Sequence, residues 1–255
     1  MRAARVVLLV GALAGLLTGA AACDSGGERA NGPAGRPQDR PTGGSSAAAP
    51  PVASPDPRGQ VIEGAFVDIR QYAAVSKFRS CEGHDFSGRN IQGKPESARS
   101  MKHYLQARPT LVGSTGKLAV RAPFDGTVGM LEPDQRGQRL GIVSARHPNW
   151  MLLFFHTDPA PGLRAGSSVT LGQTVGYGNL SGGAENFDVT LKWFPGGNSQ
   201  EERWDSPFLH LTDAASAKFG QHGVRPETVV TSKAKRDEAP CRKFRRAAEN
   251  WTTVR

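Results

Sequence analysis

Between Leu118 and Trp193 glycine punctuates the chain so regularly that few folds are open to it. Residues 118–131 (LAVRAPFDGTVGML) alternate loosely about Phe124-Asp125-Gly126, and Asp-Gly there predicts a hairpin turn. Residues 139–146 (RLGIVSAR) and 150–156 (WMLLFFH) read as strands parted by Pro148-Asn149. A pattern G-x-x-V-x-x-G-Q-x-V-G then runs from Gly166 to Gly176, and residues 186–193 (NFDVTLKW) form one more strand. Glycines at such intervals mark corners where strands change direction, as small barrels and sandwiches require. Helix signals sit outside this block. Residues 95–106 (PESARSMKHYLQ) carry Pro in the first turn, and 213–220 (DAASAKFG) place Asp as cap and Gly as stop. The expectation is a mainly β domain with a few peripheral helices.

The N-terminus says where that domain works. Arg2 and Arg5 precede an apolar run from Val6 to Leu17, and small residues then lead to Cys23. This is the pattern of a secretory signal, too short for a spanning helix. The exit Gly19-Ala20-Ala21-Ala22-Cys23 resembles a bacterial lipobox, with Ala20 where Leu is usual. The resemblance implies that residues 1–22 are a lipoprotein signal peptide and that Cys23 is acylated. The protein is then lipid-anchored on the extracytoplasmic face of the bacterial cell membrane. Residues 23–60 follow as the lipidated cysteine and a tether. Seven prolines and seven glycines lie between Asp24 and Gln60, with no aromatic, Leu or Ile. Such a stretch cannot bury enough apolar surface to offset its ordering entropy. As a flexible chain it spans roughly 35 Å.

The chain carries 32 Lys and Arg against 23 Asp and Glu, a net charge of +9. Much of the excess lies in residues 233–255, where Lys233, Lys235, Arg236, Arg242, Lys243, Arg245 and Arg246 cluster. For an exported lipoprotein nucleic acid is not an expected partner, although charge alone would permit it. A solvated basic tail, or attraction to anionic headgroups or wall polymers, fits the cluster. With Cys23 assigned to lipid, only Cys81 and Cys241 remain. An oxidising compartment favours pairing them, which would pin the basic segment 233–255 onto a domain spanning 61–232.

The run Ala122-Pro-x-Asp-Gly-Thr-Val128, the Val169–Gly176 corner and the strand at 186–193 resemble the lysostaphin-type zinc endopeptidases. That family cuts cell-wall peptide cross-bridges on a barrel-sandwich hybrid (duplicated hybrid motif) fold. The resemblance covers about residues 78–195. It implies site positions as well. The family's His-x-Gly-x-Asp falls on Cys81-Glu82-Gly83-His84-Asp85, keeping Asp85 but putting Cys81 where the first ligand His belongs. Its Tyr-x-His falls on Phe154-Phe155-His156, keeping His156 in the place of a catalytic group. The closing His-x-His falls on Asn186-Phe187-Asp188.

Zinc sites of hydrolases take three protein ligands and leave one position for water. On paper Asp85 and Asp188 could join Cys81, or His84 and His156, around a metal. Cys81 is better used with Cys241, and a carboxylate-rich set blunts the acidification of zinc-bound water. His84 and Asp85 are neighbours and would point to opposite faces of a strand; only a bulge or loop at Gly83 lets both converge. The expected cofactor is therefore none, or zinc. The expected function is a lipid-anchored envelope module, its peptidase-like β domain non-catalytic, binding peptidoglycan or another envelope protein. The alternative is a metal-dependent wall-peptide endopeptidase with a rebuilt ligand set. His103, in the Lys102-His103-Tyr104 run, is expected at a helix surface or interface. There is no G-x-S-x-G to support serine chemistry.

Overall fold

A computed structural model describes residues 59–255; the signal, Cys23 and all but the end of the tether lie outside the described residues. The chain is mainly β, as expected. Its strands are β1 (Tyr72–Ser76), β2 (His103–Ala107), β3 (Leu118–Arg121), β4 (Gly126–Pro133), β5 (Gln138–Ser144) and β6 (Trp150–Pro159). They continue as β7 (Ser168–Val169), β8 (Thr174–Gly178), β9 (Asn186–Trp193), β10 (Arg203–Asp205) and β11 (Trp251–Thr253). Helices α1 (Asp213–Gly220), α2 (Pro226–Val229) and α3 (Lys233–Glu238) lie between β10 and β11. The sheet runs β11-β1-β2-β9-β6-β5-β4-β7, with β10 on β9 and β8 bonded to both β3 and β6. All the strand pairs are antiparallel. Strand β6 organises the domain: its first half lies between β5 and β9, and its end, Thr157–Pro159, turns onto β8.

Two expectations give way. The helix at 95–106 is absent, and the segment enters β2 through isolated bridges at Pro95 and Ser100. Strand β2 is central and covered on both faces, so Met101 to Leu105 are buried without alternation. A two-sided strand of that kind shows no period of two in its sequence. The Asp125-Gly126 turn is not a hairpin either. Strand β3 leaves it to pair with β8, while β4 pairs with β5 and β7. Gly126 serves close approach: a Cβ there would stand 2.0 Å from the Val143 carbonyl oxygen. Helix α1 forms where expected, capped by Thr212, whose side chain accepts from the Ala215 N–H, with Asp213 in its first turn.

Alternation gives β9 two unlike faces. Phe187, Val189 and Leu191 point into the main core with Leu152 and Phe154 of β6 and Leu105 of β2. There Phe66 packs against Phe154, Phe208 and Phe219, with ring centroids 6.1, 5.7 and 5.1 Å away. The opposite face carries Asp188, Thr190 and Lys192 and a smaller cluster of Phe78, Met101, Leu153, Phe155 and Trp204.

His103 is fully buried in the core, not at a surface. Its Nδ1 donates to the Ser76 carbonyl at 2.7 Å and its Nε2 accepts from Ser206 Oγ at 2.7 Å. Burial pushes this imidazole down to about 4. The unfolded chain takes up this proton below about pH 6.5 and the native state only near pH 4. His103 thus contributes stability that is complete above about pH 6.5 and is lost as pH falls to about 4, by up to about 3 kcal/mol. Urea unfolding across that window should show the loss, and His103→Gln should flatten the slope. An unchanged slope in the variant would assign the pH dependence elsewhere.

The C-terminal segment returns to the start of the domain. Cys81 and Cys241 form a disulfide with Cα atoms 5.4 Å apart, and β11 pairs with β1. Beside the bridge the buried Glu96 carboxylate accepts from Arg79 at 2.8 Å and Arg99 at 2.9 Å, and Arg99 reaches Asp237 of α3 at 2.6 Å.

Candidate functional site

The site lies on the second face of the sheet, where β2, β9 and β6 run side by side. Asp188 is opposite Tyr104 on one side and Phe155 on the other. The residue is 1% exposed. Oδ2 accepts from Lys102 Nζ at 2.5 Å, while Oδ1 has no hydrogen-bond partner. The lysine is as deeply placed, its side chain 4% exposed. Phe86, Tyr104 and Phe155 surround the ammonium with ring centroids 4.9, 5.0 and 4.7 Å away. Aromatic faces are electron-rich, so three of them stabilise a desolvated cation.

His84 closes this arrangement. Its Nε2 stands 3.3 Å from Lys102 Nζ and its Nδ1 lies 2.9 Å from the Asp85 carbonyl. A carbonyl only accepts and an ammonium only donates, so these contacts suit the tautomer that carries its proton on Nδ1. The loop that permits this turns at Gly83, whose φ is +67° and where a Cβ would stand 2.0 Å from Tyr104 Oη. That loop sends the neighbours opposite ways. The His84 ring leans toward Lys102 although the residue is itself exposed, whereas Asp85, also exposed, accepts from Ser87 Oγ and, at 3.4 Å, from the Arg99 N–H.

His156 reaches the site through a bulge. Opposite β5 the register shifts between Gln138 and Leu140, leaving Phe155 and His156 to share one partner position. His156 takes up the extra residue with φ +56°, a left-handed conformation that costs a non-glycine residue roughly 1–2 kcal/mol. Consecutive residues can therefore approach the same carboxylate. Phe155 pairs with Asp188, and His156 Nε2 stands 3.8 Å from Asp188 Oδ2. His156 Nδ1 is 3.1 Å from Asp134 Oδ2 but out of line for a hydrogen bond; that oxygen instead accepts the His156 backbone N–H at 3.2 Å. Burial holds the imidazole below its ordinary range, against the opposing pull of Asp188 and Asp134.

The structure therefore brings Asp188 and His84 onto Lys102, sets His156 beside Asp188, leaves Asp85 off the site, and commits Cys81 to the disulfide with Cys241. Among the described residues no three His, Cys, Asp or Glu side chains stand together as a metal-ligand group. The set does not fit zinc, because an ammonium already lies between the carboxylate and the imidazole. Lys102, Tyr104 and Asp134 are the residues that sequence reasoning missed. Next to them opens a cleft of about 490 Å³ whose lining includes Phe86, Phe155, Trp204, Arg89, Arg139 and Lys192. Phe86 and Phe155 are thus shared: they line the cleft and enclose the lysine.

The chain matches no family model and no curated protein. It is similar to several solved structures. LytM from Ruminococcus gnavus is 18% identical over 42% of this chain and 44% of that one, with a TM-score of 0.34. Helicobacter pylori Csd3 is 17% identical over 58% and 35%, with a TM-score of 0.35. The catalytic domain of the antimicrobial peptidase lysostaphin from Staphylococcus simulans is 14% identical over 55% and 94%, with a TM-score of 0.36. The chain spans less than half the length of the first two. Each of these likenesses covers only part of the chain.

Proposed function

We propose that this protein is a lipid-anchored, extracytoplasmic binding module. Its β domain takes a cell-wall component or an envelope partner into the Phe86–Phe155–Trp204 cleft without hydrolysing it. The observation that carries this reading is the buried Lys102–Asp188 pair at the centre of the site. Water activation by zinc needs an open, positively charged metal. Here the carboxylate that could hold one is neutralised by a side chain. The cleft is suited to binding instead. Its aromatic wall can take the apolar face of a sugar ring or a peptide side chain, and Arg89 and Arg139 at its edge can hold a carboxylate. Acylated Cys23 keeps the domain at the membrane, and the tether lets it reach the wall.

Sedimentation with isolated wall sacculi tests the proposal. The protein should pellet with them and release no new amino groups, with or without added zinc. Arg89→Glu with Arg139→Glu should weaken binding about tenfold, since reversing charge at a carboxylate contact costs on the order of 1.4 kcal/mol. In cells, Cys23→Ala should move the protein out of the membrane fraction. Release of new amino groups that depends on zinc would favour the endopeptidase instead. Equal pelleting of the double variant would remove the cleft from the proposal.

A further inference from the structure

The chemistry around Lys102 is that of a cation site in which the cation is part of the chain. A divalent ion in a protein is held by carboxylate and imidazole lone pairs. Lys102 Nζ has Asp188 Oδ2 at 2.5 Å and His84 Nε2 at 3.3 Å, with three aromatic rings about it. His156 Nε2 waits 3.8 Å from the same carboxylate oxygen, and Asp188 Oδ1 is buried with no partner. Asp188 Oδ2 and His84 Nε2 both face one positive charge, and the lysine supplies it.

We propose that the Lys102 ammonium is a tethered cation standing where a divalent metal ion would bind. It excludes metal from the site, and its removal frees Asp188 and His84 for a divalent ion. The inference rests on this shell alone, so it can hold even if the cleft binds no wall component. The physical argument is one of charge and space. A second cation cannot share Asp188 Oδ2 with an ammonium 2.5 Å away, since unit charges at that separation in a poorly screened interior repel strongly. Truncation at Lys102 frees Asp188 Oδ2 and His84 Nε2 together. The uncompensated carboxylate then favours any cation that can enter.

The experiment measures zinc binding to the purified protein by calorimetry and by the shift in melting temperature. The unmodified protein should show no saturable uptake. Lys102→Ala should bind zinc at one site per chain, at least about tenfold tighter than any uptake by the unmodified protein, with a matching rise in melting temperature. Asp188→Asn in the Lys102→Ala background should abolish both, and Lys102→Arg, which keeps a cation in place, should behave as the unmodified protein does. If Lys102→Ala alone unfolds, zinc should restore its far-ultraviolet dichroism and chelator should remove it again, because metal binding then supplies folding energy. Stoichiometric zinc in the unmodified protein would overturn the proposal. So would a Lys102→Ala protein that gains no zinc, or that stays unfolded in its presence.

Discussion

Replacing Cys81 and Cys241 with serine should lower the unfolding free energy by several kcal/mol, the largest loss expected from any conservative change in this chain. The bridge joins residues 160 positions apart. Cross-linking a loop of that length removes about 5 kcal/mol of conformational entropy from the unfolded chain, an upper figure for the stabilisation. The folded side is affected too. Cys81 lends its carbonyl to the Arg245 N–H at 3.0 Å, and Arg236 Nη1 approaches Cys81 Sγ at 2.9 Å. Arg79 and Ala98, with φ of +62° and +52°, flank the crossing. Left-handed residues of this kind persist only where their surroundings hold them. Without the bridge the Glu96–Arg79–Arg99 network and the β1–β11 pairing must hold the C-terminal segment by themselves. Denaturant unfolding of the oxidised protein and the double-serine variant measures the difference. A gap below about 1 kcal/mol would mean that these contacts already order the unfolded ensemble. Free thiols at both positions in protein exported under oxidising conditions would refute the pairing.

What the sequence made legible follows from what is local. Strands β5, β6 and β9 and helix α1 were readable because period, glycine corners and an end signal all lie within a few residues. Strand β2 was not, because both its faces are buried and its segment opens with Pro95, which also begins helices. The Asp125-Gly126 turn was read correctly as a turn and wrongly as a hairpin; a turn residue fixes local dihedrals, while β3 and β4 choose their partners from β8, β5 and β7 far along the chain. At the site, Asp188 and His156 stood out through the spacing of the motifs that they share with the lysostaphin-type family. Lys102 left no comparable signal. It meets Asp188 only because β2 pairs with β9 in the register Tyr104 to Asp188, a contact 84 residues apart. The bulge that brings His156 back to the carboxylate likewise depends on the β5–β6 register. A charged residue directly before the buried β2 segment was the available clue once β2 is recognised as a strand.

Asp188→Ala should cost about 3–5 kcal/mol of stability, far more than removal of a polar group at a cleft mouth. The carboxylate and the Lys102 side chain are 2% and 4% exposed, so deleting the acid strands an ammonium away from water. Its remaining partners are one imidazole nitrogen and three ring faces, which do not neutralise it. The cost should carry a pH signature. A buried lysine without a counter-charge loses its proton more readily than one in the unfolded chain, because burial disfavours the charged form. Folding of the Asp188→Ala protein therefore expels a proton, and its deficit relative to the unmodified protein should shrink as pH rises from 7 towards 10. Removing both partners together should be gentler than removing one. Lys102→Met with Asp188→Leu leaves apolar groups of similar volume among Phe86, Phe155 and Leu153 and should recover much of the loss. Urea unfolding of the two single variants and the double variant at pH 7 and pH 9 completes the cycle. A cost below about 1 kcal/mol for Asp188→Ala would mean that water reaches the ammonium freely. A deficit that grows with pH would reverse the sign of the argument, since only a lysine kept charged in the folded state by some other anion behaves that way.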